Sequence, residues 1–385
     1  MKILLVDAYS AAHVGNAALL ECSLDVLRET FPGATFEVLA KDPGALEEFC
    51  GCPCHSYLFP DLLSPERRSR IGALTWIAKN LAWAAVDALN LGLGLGVSPL
   101  SYSFDERRRE AVRALLEADL VVGIGGEMLN ARFRRVTPFL LHGYWTAKRL
   151  GKRVVLFPQS IGPLGNGWFM RLSRLALRDC DLVMPRDELS ALETQRLGLS
   201  AGQVLRVPDV AVLQRQASRE KAIELLRAEG WPGPGEGPVL GVAVCAEARE
   251  AFAGLRGLCE YVVLERSGQL VFLCANHPED CVAAGELFSS LSDAARARSV
   301  LLSKCYRPGE FKAITGLFDV FVSTRMHAAI LATMSPVPTI AINTQPKVRG
   351  YMELAGQGER CLELAEANEV RLRGMFENCL AHNEA

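Results

Sequence analysis

Short apolar runs that stop at turn residues alternate with helix-patterned stretches along nearly the whole chain, and this alternation restricts the fold more than any other feature. Runs at 2–6, 35–39, 120–123, 153–157, 182–184 and 204–207 read as strands, with helical stretches between them. A Gly/Pro cluster at 230–238 then opens a second series of strands at 239–244, 270–273, 299–302, 319–322 and 338–342. Strand, helix, strand in succession implies a parallel sheet wrapped by helices. Two such series imply two doubly wound α/β domains facing a cleft. The boundary is expected between Pro208 and Arg219, giving domains 1–212 and 213–385. The last helix, 367–382, is expected to pack back on the first domain. A chain of 385 residues has room for two such domains.

Composition narrows the function. Net charge is −2, which excludes a general nucleic-acid binder, since that would need a basic excess. The 12 cysteines are scattered. Cys22, Cys180, Cys245 and Cys274 sit inside apolar runs and read as small buried hydrophobes in a reducing compartment. Cys50-Gly51-Cys52-Pro53-Cys54-His55 lacks a second ligand pair at zinc-like spacing, so no metal is expected. The first strand runs straight into Asp7 with no apolar leader, which points to a cytoplasmic chain. Residues 71–100 are the most membrane-like, yet Lys79, Asn80, Asp87 and Asn90 interrupt them. A buried helix in an insert at about 57–104 is the favoured reading. The alternatives are a subunit contact or a peripheral contact with a membrane face through 67–100, where Arg67, Arg68 and Arg70 precede Trp76 and Trp83.

In doubly wound sheets ligands bind beyond the carboxyl ends of the strands. That rule selects Ser323-Thr324-Arg325-Met326-His327, where a strand gives way to a helix. Ser323 and Thr324 suit helix N-caps. A helix N-terminus favours an anion, and Arg325 and His327 there invite one. The next strand-to-helix turn repeats the pattern with Lys347 and Arg349. A histidine beside phosphate-type chemistry is a candidate acid or base near neutrality. In the first half, Gly125, Gly126 and Glu127 follow a strand directly. The glycines permit close backbone approach to a ligand, although the full dinucleotide fingerprint is missing. Gln159 and Ser160 can bond a polar substrate or satisfy their own turn. Arg186 either reaches the cleft or makes a surface ion pair. His13, Asn16 and Asn130 also lie beyond strand ends. No catalytic Ser-His-Asp spacing, two-metal carboxylate cluster or Walker-type loop is present.

These segments, namely STRMHAAILATMSPVPTIAINTQPKVRGYMELAG, VVGIGGEMLN, LFPQSIGPL, MPRDELSALETQRLGL and VPDVAVL, resemble the polysaccharide pyruvyl transferase family in sequence and in order. The resemblance implies two Rossmann-like domains of glycosyltransferase-B type. It implies transfer of a pyruvyl group from phosphoenolpyruvate to a sugar, commonly as a cyclic ketal. Phosphoenolpyruvate is then a co-substrate, with no cofactor and no metal. The acceptor would be a sugar of a cell-surface polysaccharide or its lipid-linked precursor, on the first domain. Arg325 and His327 match the family's Arg-x-His pair, implied as catalytic. Arg186 matches its Arg-Asp motif and Lys347 its Pro-Lys-x-Arg-Gly segment, both donor-binding by resemblance. Two positions depart from the family: Asn16 and Asn130 stand where it usually carries aspartate. Two alternatives stay open: a nucleotide-sugar glycosyltransferase of the same architecture, and a non-catalytic anion-binding member. Homo-oligomer formation also stays open.

Overall fold

The computed structural model describes residues 1–62 and 70–381. Arg67, Arg68 and His382 lie outside the described residues. The chain divides into two compact units. One comprises Met1–Ala11 and Leu19–Val210, the other Ala12–Ala18 and Ala211–Ala385.

The first unit holds β1 (Lys2–Ala8), β2 (Thr35–Ala40), β3 (Cys54–Ser56), β4 (Leu120–Gly123), β5 (Gly126–Leu129), β6 (Arg153–Ile161) and β7 (Leu182–Pro185). They pair in parallel in the order β3-β2-β1-β4-β6-β5, with β7 also on β6. The second unit holds β8 (Val239–Ala243), β9 (Gln269–Phe272), β10 (Ser299–Leu301), β11 (Val320–Ser323), β12 (Thr339–Asn343) and β13 (Cys361–Glu363). Their order is β10-β9-β8-β11-β12-β13, again parallel throughout. Helices cover both faces of such sheets, so the central strands are apolar without alternation. β4, β8, β9 and β11 are buried at every position.

Four elements differ from the sequence reading, the insert helix among them. Residues 204–207 lie along β7 through Leu205 N to Val183 O and Val207 N to Pro185 O, without forming a ladder strand. The glycine segment after β4 is not all loop, because Gly126–Leu129 becomes β5. Gly125 makes that turn at φ +97, and a Cβ on it would lie 2.4 Å from the Pro158 carbonyl oxygen. The absent side chain is filled by backbone. The last helix, Glu369–Ala381, buries Leu372, Phe376 and Cys379 in the second unit's core, against the helix Phe252–Leu264.

The insert helix, Arg70–Leu93, is not a buried core helix. Its inward stripe is Asn80, Trp83, Asp87 and Asn90, at helical spacing, and all four are buried. Its leucines and isoleucines point outward: Ile71 is 76% exposed, Leu74 69%, Leu89 60% and Leu93 70%. Polar bonds hold the inner stripe. Asp87 accepts from Arg108 Nη2 (2.8 Å) and Tyr102 OH (2.8 Å) and contacts His142 Nε2 (3.1 Å). Arg108 is itself buried, and also donates to Leu58 O and Ser103 Oγ. Asn90 bonds Val97 in both directions. Burial raises the Asp87 carboxyl's pKa, but His142 and Arg108 outweigh it and hold the group below the usual carboxylate range.

Candidate functional site

In the second unit, β11 ends at Ser323 and the helix Met326–Thr333 follows. Ser323 and Thr324 do not cap it; Arg325 is the N-cap residue, with no side-chain cap. Ser323 Oγ accepts from Arg325 N (3.1 Å) and donates to Arg325 O (2.9 Å). Thr324 Oγ1 accepts from Cys245 N (2.9 Å), and Thr324 N donates to Ala243 O (3.0 Å), so it fastens the end of β8. Both residues are buried. The helix thus starts with first-turn N–H groups that no capping side chain takes up, a setting that suits an anion.

Arg325 does not wait for an external anion to balance it. Its Nε and Nη2 grip Asp280 at 3.0 and 2.5 Å, and Glu247 lies 3.6 Å from Nη2. Asp280 is fully buried near the start of the helix Glu279–Ser289 and also accepts from Asn276 N. Burial alone would loosen the arginine's proton; the Asp280 hydrogen bonds and charge more than reverse that. The pair fixes the guanidinium's orientation and leaves Nη1 outside the fork.

His327 occupies the first turn of the same helix and is buried. Its ring lies on Gly15: a Cβ there would sit 2.2 Å from His327 Nδ1 and 2.4 Å from Cγ. Only glycine fits. The His13 ring stands edge-on, 6.2 Å away between centroids. His13 Nδ1 accepts from Gly15 N (3.1 Å) and Asn16 N (3.3 Å), capping the helix Val14–Thr30 in the manner of an asparagine. Val14 N to Ala275 O and His277 N to Ala12 O hold this segment antiparallel to the chain leaving β9. The ends of β8, β9 and β11 thus meet the 12–16 segment around His327. After β12, Lys347 falls in the first turn of the helix Pro346–Leu354. Arg349 donates to Glu363 Oε1 (2.6 Å) and Cys361 O (2.8 Å), tying this helix to β13.

The first unit contains a second polar cluster, at the ends of β6 and β7. Arg186 is buried, so neither a solvent-facing pair nor an open arginine describes it. Its Nη1 bonds Asp209, its Nε bonds Ser160 Oγ (2.9 Å), and Ser160 Oγ donates to Asp187 Oδ2 (3.1 Å). Arg186 Nη2 and the neighbouring Gln159 Nε2 are buried donors without a hydrogen-bond partner, the kind of vacancy a polar ligand or water fills. Glu127 is half-buried on β5. Asn130 accepts from Arg132 N (2.8 Å) and donates to Gly162 O (2.8 Å). A carboxylate could not make the second bond, which gives the amide at this position a local reason.

Sequence reasoning gave no individual role to three residues, although Asp7 and Gly15 fall in the strand-end stretch 7–16 that it selected. Asp280 looks like ordinary acidic dressing of a helix start. Gly15 carries no chemistry and matters only for what it lets in. Asp7, at the end of β1, has φ +72, and burial pushes its carboxyl up to about 6 while Tyr144 OH donates to it. A strained backbone joined to a displaced pKa marks functional positions. The only hint in sequence was an acid closing an apolar strand. Among the described residues no group of three or more His, Cys, Asp or Glu is arranged to hold a metal. Cys50 and Cys54 lie 3.9 Å apart as free thiols.

The family model for polysaccharide pyruvyl transferase matches residues 13–346. The amylovoran biosynthesis protein AmsJ of Erwinia amylovora is 20% identical over 404 residues, covering 98% of this chain and 92% of the relative. Among solved structures, Anabaena Alr3699/HepE in complex with UDP-glucose aligns at TM-score 0.56 and 14% identity, over 100% of this chain and 91% of that one. UDP-GlcNAc 2-epimerase of Methanocaldococcus jannaschii, in complex with UDP-GlcNAc and UDP, aligns at 0.58 and 14%, over 99% and 93%. At such identities the likeness concerns fold alone. It puts the two parallel-sheet units in the glycosyltransferase-B-like class of paired Rossmann-like domains.

Proposed function

The chain belongs to the polysaccharide pyruvyl transferase family, and from that premise we propose that it moves a pyruvyl group from phosphoenolpyruvate to a sugar of a cell-surface polysaccharide or its lipid-linked precursor. The observation that carries the reading is the seating of His327 on Gly15, next to Arg325 locked by Asp280 at a helix start. Phosphoenolpyruvate brings a phosphate and a carboxylate. The uncapped N-terminal end of Met326–Thr333, the outer Nη1 of Arg325 and the ammonium of Lys347 form a donor set for those anions. Arg186 remains a donor-binding candidate through its unsatisfied Nη2.

In this scheme His327 carries the proton. It protonates the methylene carbon, which leaves an oxocarbenium-like centre at the adjacent carbon. A sugar hydroxyl adds there and its proton returns to His327. A second hydroxyl then closes the ketal as the carbon–oxygen bond to phosphate breaks, its proton leaving with the phosphate, so one phosphate is released for each ketal formed. Fixed positive charge along the phosphate's path supplies the electrostatic part of catalysis. Phosphate release from phosphoenolpyruvate, measured over an acceptor panel that includes lipid-linked sugars, tests the reading. His327→Ala is expected to lose at least about 100-fold of that rate with an unchanged melting curve. Full activity in the variant would reject the assignment.

A second reading rests on the fold: the Anabaena and Methanocaldococcus structures hold UDP-sugars. Stabilisation on ligand addition separates the two. A thermal shift with a UDP-sugar and none with phosphoenolpyruvate would favour a nucleotide-sugar enzyme.

A further inference from the structure

The insert helix Arg70–Leu93 is built inside out, and the surface beside it shares that character. A groove of about 920 Å³ runs between this helix and the helices Thr137–Arg149 and Trp168–Leu177, and it is apolar almost throughout. Trp76, Trp145 and Trp168 line it, three of the five tryptophans in the chain. Trp168 is 60% exposed and Leu175 is exposed as well. Continuous exposed apolar surface on this scale marks an interaction site.

Charge says what kind of partner fits. Residues 71–93, 131–149 and 168–178 contain nine Lys or Arg and one acid, in a chain whose net charge is −2. The acid is Asp87, which is buried and ion-paired with Arg108. Lys79 pairs with Asp105 and Lys148 with Asp181, so those two are spent. Arg132, Arg134, Arg135, Arg149 and Arg171 remain on the exposed surface, and Arg135 borders the groove itself. Apolar residues flanked by tryptophan and arginine, with Asn80, Asp87 and Asn90 turned inward, match a lipid–water boundary. No described helix is long and apolar enough to cross a membrane, so a membrane contact made by this helix would be interfacial.

We propose that this face docks on an anionic lipid bilayer, with the insert helix and its leucines in the interfacial layer and the groove taking up hydrocarbon chain. A second copy of this chain is the competing occupant, and it fits less well. Two such faces brought together would oppose like-charged arginines, which costs affinity. The proposal does not depend on which donor the enzyme uses.

Co-sedimentation of the full chain with vesicles tests it. One set is phosphatidylcholine alone and the other contains about one third phosphatidylglycerol. Binding is expected to the anionic vesicles, to weaken at high salt, and to fall at least tenfold in Leu74→Glu/Leu89→Glu. Both positions are exposed, so that variant should melt as the parent does. Arg134→Glu/Arg135→Glu should lose the anionic preference while leaving the apolar residues in place. The proposal is overturned if the parent chain binds neither vesicle set. It is equally overturned if light scattering shows a dimer that the two leucine substitutions break, because the face would then be an interface between copies. Phosphate release with a water-soluble acceptor should be unchanged in the leucine variant; a failure of the pyruvyl-transfer reading would leave the sedimentation result standing.

Discussion

Gly15→Ala probes the site without touching a group that does chemistry. The added methyl would lie 2.2 Å from His327 Nδ1, 2.4 Å from Cγ and 2.7 Å from Cβ. Ordinary carbon contacts need about 3.5 Å, so the ring must retreat by about 1.3 Å. Overpacking of this kind costs about 1–3 kcal/mol. Alanine in a helical turn returns up to about 1 kcal/mol relative to glycine, so the net loss of stability is modest, about 0–3 kcal/mol. The effect on turnover is larger, since a misplacement of about 1 Å is worth on the order of 100-fold. Two assays follow. Phosphate release from phosphoenolpyruvate should fall about 100-fold while the protein stays folded. Urea denaturation of a double-mutant cycle should then show coupling. In a His327→Gly background all three clashing atoms are gone, so Gly15→Ala should turn neutral or stabilising, with a coupling energy of about 1 kcal/mol or more. Equal effects in both backgrounds would refute the claim that Gly15 exists to seat the ring.

Asp280→Ala removes the carboxylate that grips Arg325. Because the Arg325 side chain is 21% exposed, the loss should fall near about 3 kcal/mol, the low end for a broken buried pair. Urea midpoints measure it, and a loss under about 1 kcal/mol would mean the pair is not an anchor. Asp7 gives a pH signature. Its folded carboxyl titrates at about 6, above the model-peptide value of 3.8, so the folded state binds the extra proton and stability falls as pH rises between those values. Asp7→Asn, which also suits φ +72 better, should be the more stable form at pH 8 by on the order of 3 kcal/mol. The gap should close below about pH 4. A gap that persists at pH 3 would mean backbone strain, and not charge burial, sets the difference.

The sheets were legible in the sequence because their buried strands are continuous apolar runs between turn residues. β5 and β13 were not, since each owes its existence to a neighbouring strand more than to its own pattern. The turn carrying Arg325 and His327 was legible from residue type alone. Its anchoring was not: Asp280 is 45 positions away and Gly15 more than 300, and no local pattern reports a contact at that range. Ser323 and Thr324 misled because hydroxyl residues before a helix suggest caps; instead Ser323 bonds the backbone of Arg325 two residues on and Thr324 bonds the backbone at the end of β8. The insert helix misled for the opposite reason. Apolar content normally means burial, and here Asp87 and Asn90 were read as interruptions when they are the side that faces the protein.

The segment Ala12–Ala18 belongs, by its contacts, to the unit that otherwise begins 193 positions later at Ala211. A single cut in the chain therefore cannot separate the two units cleanly. A fragment made from the C-terminal half would carry His327 without Gly15, and would leave Val14's place among Val239, Phe321 and Ala328 unfilled. Conversely, a fragment ending at Val210 would keep the helix Val14–Thr30 with a first turn shaped for a partner it no longer had. The residues around His327 are thus inherited as a non-contiguous set, and exchange of whole domains between related enzymes must carry this short piece along or rebuild it.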